Sequence, residues 1–116
     1  MDMNYNVVMH IDSGEPDRFR LVARNCANYL SALPDEKFEI AVVANAGAAS
    51  LFVGHDELRV LAEPLMAQGV RFKICANALR EQNIDPVRLW PGCLVVPAGL
   101  VEIVKLQRAG YAYIKP

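Results

Sequence analysis

The chain has 116 residues, of which 53% are hydrophobic and 22% charged, so it is long and apolar enough for one domain with a real core, and disorder is excluded. Twelve Lys and Arg against thirteen Asp and Glu leave a formal net charge of −1, which excludes a strongly basic nucleic-acid binder and a polybasic membrane protein. No apolar run approaches the ~18–20 residues of a membrane span, and the opening Met-Asp-Met-Asn-Tyr has no basic start of a signal peptide, so the expected location is cytoplasmic.

Residues 6–11 are β-branched and apolar and predict a first strand, closed by the turn chemistry of Asp12, Ser13, Gly14 and Pro16. A helix follows from about Asp17, because Phe19, Val22, Cys26, Tyr29, Leu30 and Leu33 recur at steps of three and four. Pro34 ends it. Residues 38–44 form a near-continuous apolar run, as in a strand covered on both faces. Residues 45–54 read as a loop with a hydrophobic tip at Leu51, Phe52 and Val53. A second helix is expected over 56–68, with Gly69 as its stop and a third strand over 70–75. Asn77 is the expected N-cap of a short helix over 78–82. A strand over 94–96, a helix over 99–108 ended by Gly110 and a short last strand over 111–114 complete the order. Strands alternating with helices predict a single α/β domain over 1–116, a three-layer α/β/α sandwich with a mainly parallel sheet of about five strands.

An open parallel sheet binds ligands beyond the C-terminal ends of its strands. That rule gathers His10 and Asp12, Asn45 and Gly47, Cys75 and Asn77, and Pro97 to Gly99. Cys75 is the sharpest of these, since a helix start just after it brings free N–H groups and the positive end of a dipole, which favour a thiolate. Cys26 on the helix stripe and Cys93 at the start of a strand are expected to be packed. Three cysteines without a Cys-x-x-Cys pair give no disulfide framework, and no metal site or cofactor is expected. No Gly-rich phosphate cradle and no Gly-x-Ser-x-Gly elbow is present. Arg18, Arg20 and Arg24 read as a solvated helix face. The helix over 99–108 carries Leu100, Val101, Ile103, Val104 and Leu106 on more than one side, which suggests a subunit interface.

The stretches Gly69–Leu79 (Gly-Val-x-Phe-x-x-Cys-x-Asn-x-Leu) and 107–114 (Gln-x-x-Gly-Tyr-x-Tyr-Ile), with Val-Val-Pro-Ala-Gly over 95–99, resemble the DsrE/DsrF-like family of small sulfur-relay proteins. The resemblance covers essentially the whole chain. It implies a three-layer sandwich assembled as a homotrimer or homohexamer, with a strand-end cysteine that carries sulfur as a persulfide between donor and acceptor proteins. By position that cysteine is Cys75. Many relatives have His-Gly after the second strand where this chain has Asn45-Ala46-Gly47, so Asn45 could hydrogen-bond a polysulfide but not relay a proton as histidine would.

The resulting expectation is a carrier rather than a turnover enzyme, with Cys75 as the sulfur site and Asn45, Gly47, Asn77 and His10 lining its pocket. One alternative is a non-catalytic ligand-binding or assembly module with an inert Cys75. Another is an enzyme pairing Cys75 with His10 or His55. No nucleic acid and no membrane is expected among the partners.

Overall fold

In the computed structural model, which describes residues 4–116, five strands run parallel in the order β4-β3-β2-β1-β5. They are β1 (Val7–Ile11), β2 (Ile40–Ala44), β3 (Arg71–Cys75), β4 (Leu94–Val96) and β5 (Ala112–Ile114), with helices α1 (Pro16–Ala32), α2 (Asp56–Ala67), α3 (Ala76–Glu81) and α4 (Gly99–Arg108) between them. The chain steps from β1 outward to β4, then returns through α4 to lay β5 on the free side of β1. The three-layer α/β sandwich expected from the element order is the fold observed.

The central strands β1 and β2 are buried along their whole length, which is why their sequences lack polar alternation. Successive side chains point to opposite faces. Val7, Met9, Ile11, Val42, Phe72 and Ile74 join Phe19 of α1 and Leu58 of α2 in the larger core. Val8, Ala41 and Val43 point the other way and meet Ile103 and Leu106 of α4 in a smaller one. Phe19, Phe52 and Trp90 pack with ring centroids 5.1–5.6 Å apart, each such aromatic pair adding about 0.5–1.5 kcal/mol beyond its area.

That aromatic cluster corrects the loop expected over 45–54. Ala46–Phe52 is a 3-10 helix, and Leu51 and Phe52 are fully buried rather than a tip. Trp90 fastens the segment by donating from Nε1 to the Gly54 carbonyl at 2.6 Å. Asn77 is a second correction, because β3 enters α3 without a loop and Cys75 itself occupies the N-cap position. The Asn77 amide lies inside the helix, where its Oδ1 accepts from the Arg80 guanidinium. The remaining bounds move by a few residues: β2 starts at Ile40 and β3 at Arg71. Gly69 is the expected stop of α2, turning the chain at φ 95°.

Candidate functional site

Cys75 is the last residue of β3 and lies on the α4 side of the sheet, two residues on from Lys73, whose Nζ bonds Glu102 of α4 at 2.8 Å. Asn45 follows β2 on the same side, two residues past Val43. Gly99, the first residue of α4, covers both. A Cβ built on Gly99 would stand 3.1 Å from Asn45 Cβ, 3.3 Å from Cys75 Cβ and 3.5 Å from Val43 Cγ1. A side chain at this position would have to push its neighbours back by a few tenths of an ångström, so glycine is what lets the start of α4 come this close without strain.

The first intrahelical bond at this end of α4 runs from Glu102 N to Ala98 O, and Ala98 offers no side-chain cap. The N–H groups of Gly99, Leu100 and Val101 therefore have no acceptor within the helix, and the positive end of its dipole faces the Cys75 region. Between these parts lies a cavity of about 230 Å³ lined by Asn45, Ala46, Cys75, Asn77, Ala78, Glu81, Ala98, Gly99 and Leu100. Cys75 is a free thiol, 6% exposed, within reach of a small sulfur reagent entering that cavity.

Asn45 sits at the N-cap of the 3-10 helix yet makes no cap bond. Its Oδ1 instead takes a hydrogen bond from His10 Nε2 at 2.8 Å, and His10 Nδ1 meets the Tyr113 hydroxyl at 2.6 Å. Ala46 follows in the left-handed region at φ 49°, with its carbonyl held by Gln82 Nε2 at 2.8 Å. For a residue with a Cβ that conformation costs roughly 1–2 kcal/mol, so the turn that carries Asn45 into the cavity is held by the surrounding structure.

The structure thus brings Asn45, Cys75 and Asn77 into one cavity, while His10 reaches it only through Asn45. Gly47 does not line it. Its backbone packs on the turn after β1, where a Cβ on Gly47 would lie 3.1 Å from Gly14 N and one on Gly14 would lie 3.0 Å from Gly47 O. His10 and Asp12 line a separate cavity of about 380 Å³ between the ends of β1 and β5, with Arg18 and Lys115. There Lys115 Nζ donates to Asp12 Oδ2 at 2.7 Å and holds the Asp12 carboxyl below the usual carboxylate range. His55 is exposed at the start of α2, its Nδ1 3.5 Å from Glu57 Oε1. Neither histidine hydrogen-bonds Cys75 among the described residues, which leaves the cysteine–histidine enzyme without its pair.

The other two thiols lie outside this cavity. Desolvation pushes both Cys26 and Cys93 up to about 12, holding them protonated at neutral pH. Leu100 and Glu81 belong to the surroundings of the site without a local motif, and Tyr113 stands in the 107–114 stretch with nothing in its spacing to tie it to the site. Tyr113 joins them through the β1–β5 register, which pairs it with Val8 and sets it beside His10. Among the described residues no cluster of His, Cys, Asp and Glu could hold a metal ion, and no helix is long and apolar enough to cross a membrane.

Comparison with known proteins gives a consistent answer at the level of family and fold. The family model described as DsrE/DsrF-like matches residues 7–116. Among solved structures, a protein of unknown function, MTH1491 from Methanobacterium thermoautotrophicum, is similar at 36% identity and a TM-score of 0.90, covering 97% of this chain and 100% of that one. The YchN protein of E. coli shares the fold at 14% identity and a TM-score of 0.76, covering 97% of this chain and 99% of that one. No curated protein matches the chain.

Proposed function

The chain belongs to the DsrE/DsrF-like family, and from that premise we propose that it is a sulfur carrier that holds sulfane sulfur on Cys75. The observation that carries this reading is the seat of Cys75, at a strand end within a small cavity and under the uncapped start of α4.

The chemistry needs little else. The Cys75 thiolate attacks the outer sulfur of a donor persulfide R–S–SH. A new S–S bond forms on Cys75, the donor S–S bond breaks, and its electron pair leaves with R–S⁻. Delivery is the same exchange in reverse sense: an acceptor thiolate takes the outer sulfur and Cys75 departs as thiolate. No net oxidation occurs and no cofactor enters. In this reading the free N–H groups of α4, which begins beside Cys75, favour negative charge on sulfur by about 0.3–1 kcal/mol and up to ~2 when partly buried. Cys26 and Cys93, held as neutral thiols, stay out of the exchange.

In the same reading the α4 side of the sheet is covered by further copies of the chain in a homotrimer or homohexamer, and sulfur donor and acceptor proteins approach the rim near Leu100. Support comes from Leu100, Val101 and Val104, which α4 turns outward at 60%, 54% and 46% exposure.

The direct test is intact-protein mass spectrometry after incubation with inorganic polysulfide, comparing the wild type with Cys75→Ser. The expected result is a reductant-labile addition of sulfur atoms that maps to Cys75 and is absent from the variant. A reduced Cys75 that gains no sulfur would overturn the carrier reading and leave a ligand-binding relative of the same fold.

A further inference from the structure

Asn is a favoured helix N-cap because its side-chain oxygen can accept from the first free N–H groups. Asn45 stands at such a position and does not use it. Its oxygen is turned to His10 Nε2 at 2.8 Å, and the other ring nitrogen of His10 is met by the Tyr113 hydroxyl at 2.6 Å. His10 is 7% exposed, a buried polar residue within an otherwise apolar β1. The bond to Asn45 sets the tautomer of the neutral ring, and the Tyr113 hydroxyl, which can donate or accept, adapts to it. Oδ1 only accepts, so Nε2 carries the proton and donates. Nδ1 is then the acceptor for the Tyr113 O–H. With Oδ1 engaged, the end of the Asn45 amide left for the cavity is Nδ2 with its two hydrogens.

We propose that His10 and Tyr113 are positioning residues, which hold the Asn45 amide with its Nδ2 hydrogens turned into the Cys75 cavity to meet the negative charge of an anionic sulfur ligand, the outer sulfur of a persulfide or hydropolysulfide. The inference rests on Cys75 as the sulfur site and adds what the site selects. Two hydrogen bonds run in one direction, from Tyr113 to His10 and from His10 to Asn45, and the Nδ2 contact to the ligand would extend the series, each bond polarising the next. The N–H groups of α4 approach the same space through Gly99. The cavity therefore presents donors from two sides and prefers an anion to a neutral trisulfide or disulfide. Without the Tyr113 hydroxyl Nδ1 loses its partner, so the His10 ring is no longer anchored and its hold on the Asn45 amide is released.

Two measurements test this. The ¹⁵N shifts and long-range ¹H–¹⁵N couplings of His10 report its tautomer, and Nε2–H is expected in the wild type; an Nδ1–H ring overturns the proposal. The second compares alkylation of Cys75 by iodoacetate, an anion, with that by neutral iodoacetamide. The ratio of the two rates cancels the thiolate fraction and reads the donors facing the reagent. It is expected to fall about fivefold in Asn45→Ala and by a similar factor in Tyr113→Phe, as for loss of one hydrogen bond. A structural role for Tyr113 alone would move both rates together and leave the ratio unchanged. A wild-type ratio in Tyr113→Phe overturns the positioning role, whatever Asn45→Ala does. Failure of the carrier reading looks different: wild-type Cys75 gains no sulfur from polysulfide while the ratio still falls in both variants, which overturns the persulfide as ligand and retains the orientation of the amide.

Discussion

Cys26 packs against Met9 with its sulfur 3.7 Å from the thioether, and burial pushes its thiol, like that of Cys93, from 9.0 up to about 12. These shifts make stability depend on pH with a definite sign. Between pH 9 and 12 the unfolded chain has released the thiol protons that the folded chain keeps, so the folded state binds more protons and stability falls as pH rises. The contribution is present in full below pH 9. Urea midpoints measured from pH 8 upward should therefore decline, and the decline should be shallower in Cys26→Ala, even though that variant starts lower because of the space it opens. Parallel declines in the two proteins would contradict the assignment. The position of the proposed sulfur site, by contrast, is legible in sequence: Cys75 follows an apolar run and precedes a helical one, which puts it at a strand end. What surrounds it is less so. Asn77 has the right chemistry for a cap but stands two residues too late, since β3 and α3 join without a linker and Cys75 takes the cap position. Tyr113 is invisible as a site residue until β5 is known to pair with β1.

Among the elements, α4 has the most to do with the site, and it acts through its first residue. The approach of Gly99 to Asn45 and Cys75 leaves 3.1 and 3.3 Å for a Cβ, distances that a methyl group meets only by pushing something back. Gly99→Ala is thus expected to lift the start of α4 and narrow the cavity. Alanine is the better helix former, by up to about 1 kcal/mol in a helix interior, which offsets part of the crowding. The expected outcome is a melting temperature little changed beside a several-fold slower sulfur uptake at Cys75, followed by quenched mass spectrometry. Uptake at the wild-type rate would mean that α4 contributes nothing to the chemistry. The elements with strong apolar runs or a helical stripe, such as β1, β2 and α1, are readable from the chain because burial fixes their pattern. The 3-10 segment Ala46–Phe52 is not, because its small residues have no regular period and its ordering comes from Phe19, Phe72 and Trp90, which are distant in sequence.

At the scale of the molecule the two faces of the sheet are unequal. α1, α2 and α3 share one face, where the larger core lies, whereas α4 alone crosses the other over a smaller core. The thin side keeps apolar surface in water: Leu94 and Tyr113 toward its two edges at 44% and 40% exposure, and Leu100, Val101 and Val104 along the outer side of α4. Covering those three helix side chains would recover about 1 kcal/mol each, half or so of what full burial of such a residue gives. Charge does not oppose association, since the net charge is −1. Light scattering on the wild type is expected to give three or six times the chain mass of 12.8 kDa. Val101→Asp with Val104→Lys should shift it toward the single chain, because each places an ionised group where the neighbouring copy would desolvate it. The rim residue Leu100 ties this assembly to the site, for it lines the Cys75 cavity and stands on the same helix. A copy seated on α4 therefore borders the entrance, and Cys75 in the dissociated variant should be alkylated faster by iodoacetamide than in the assembly. Equal rates in the two forms, with dissociation shown by light scattering, would place the interface away from the cavity mouth.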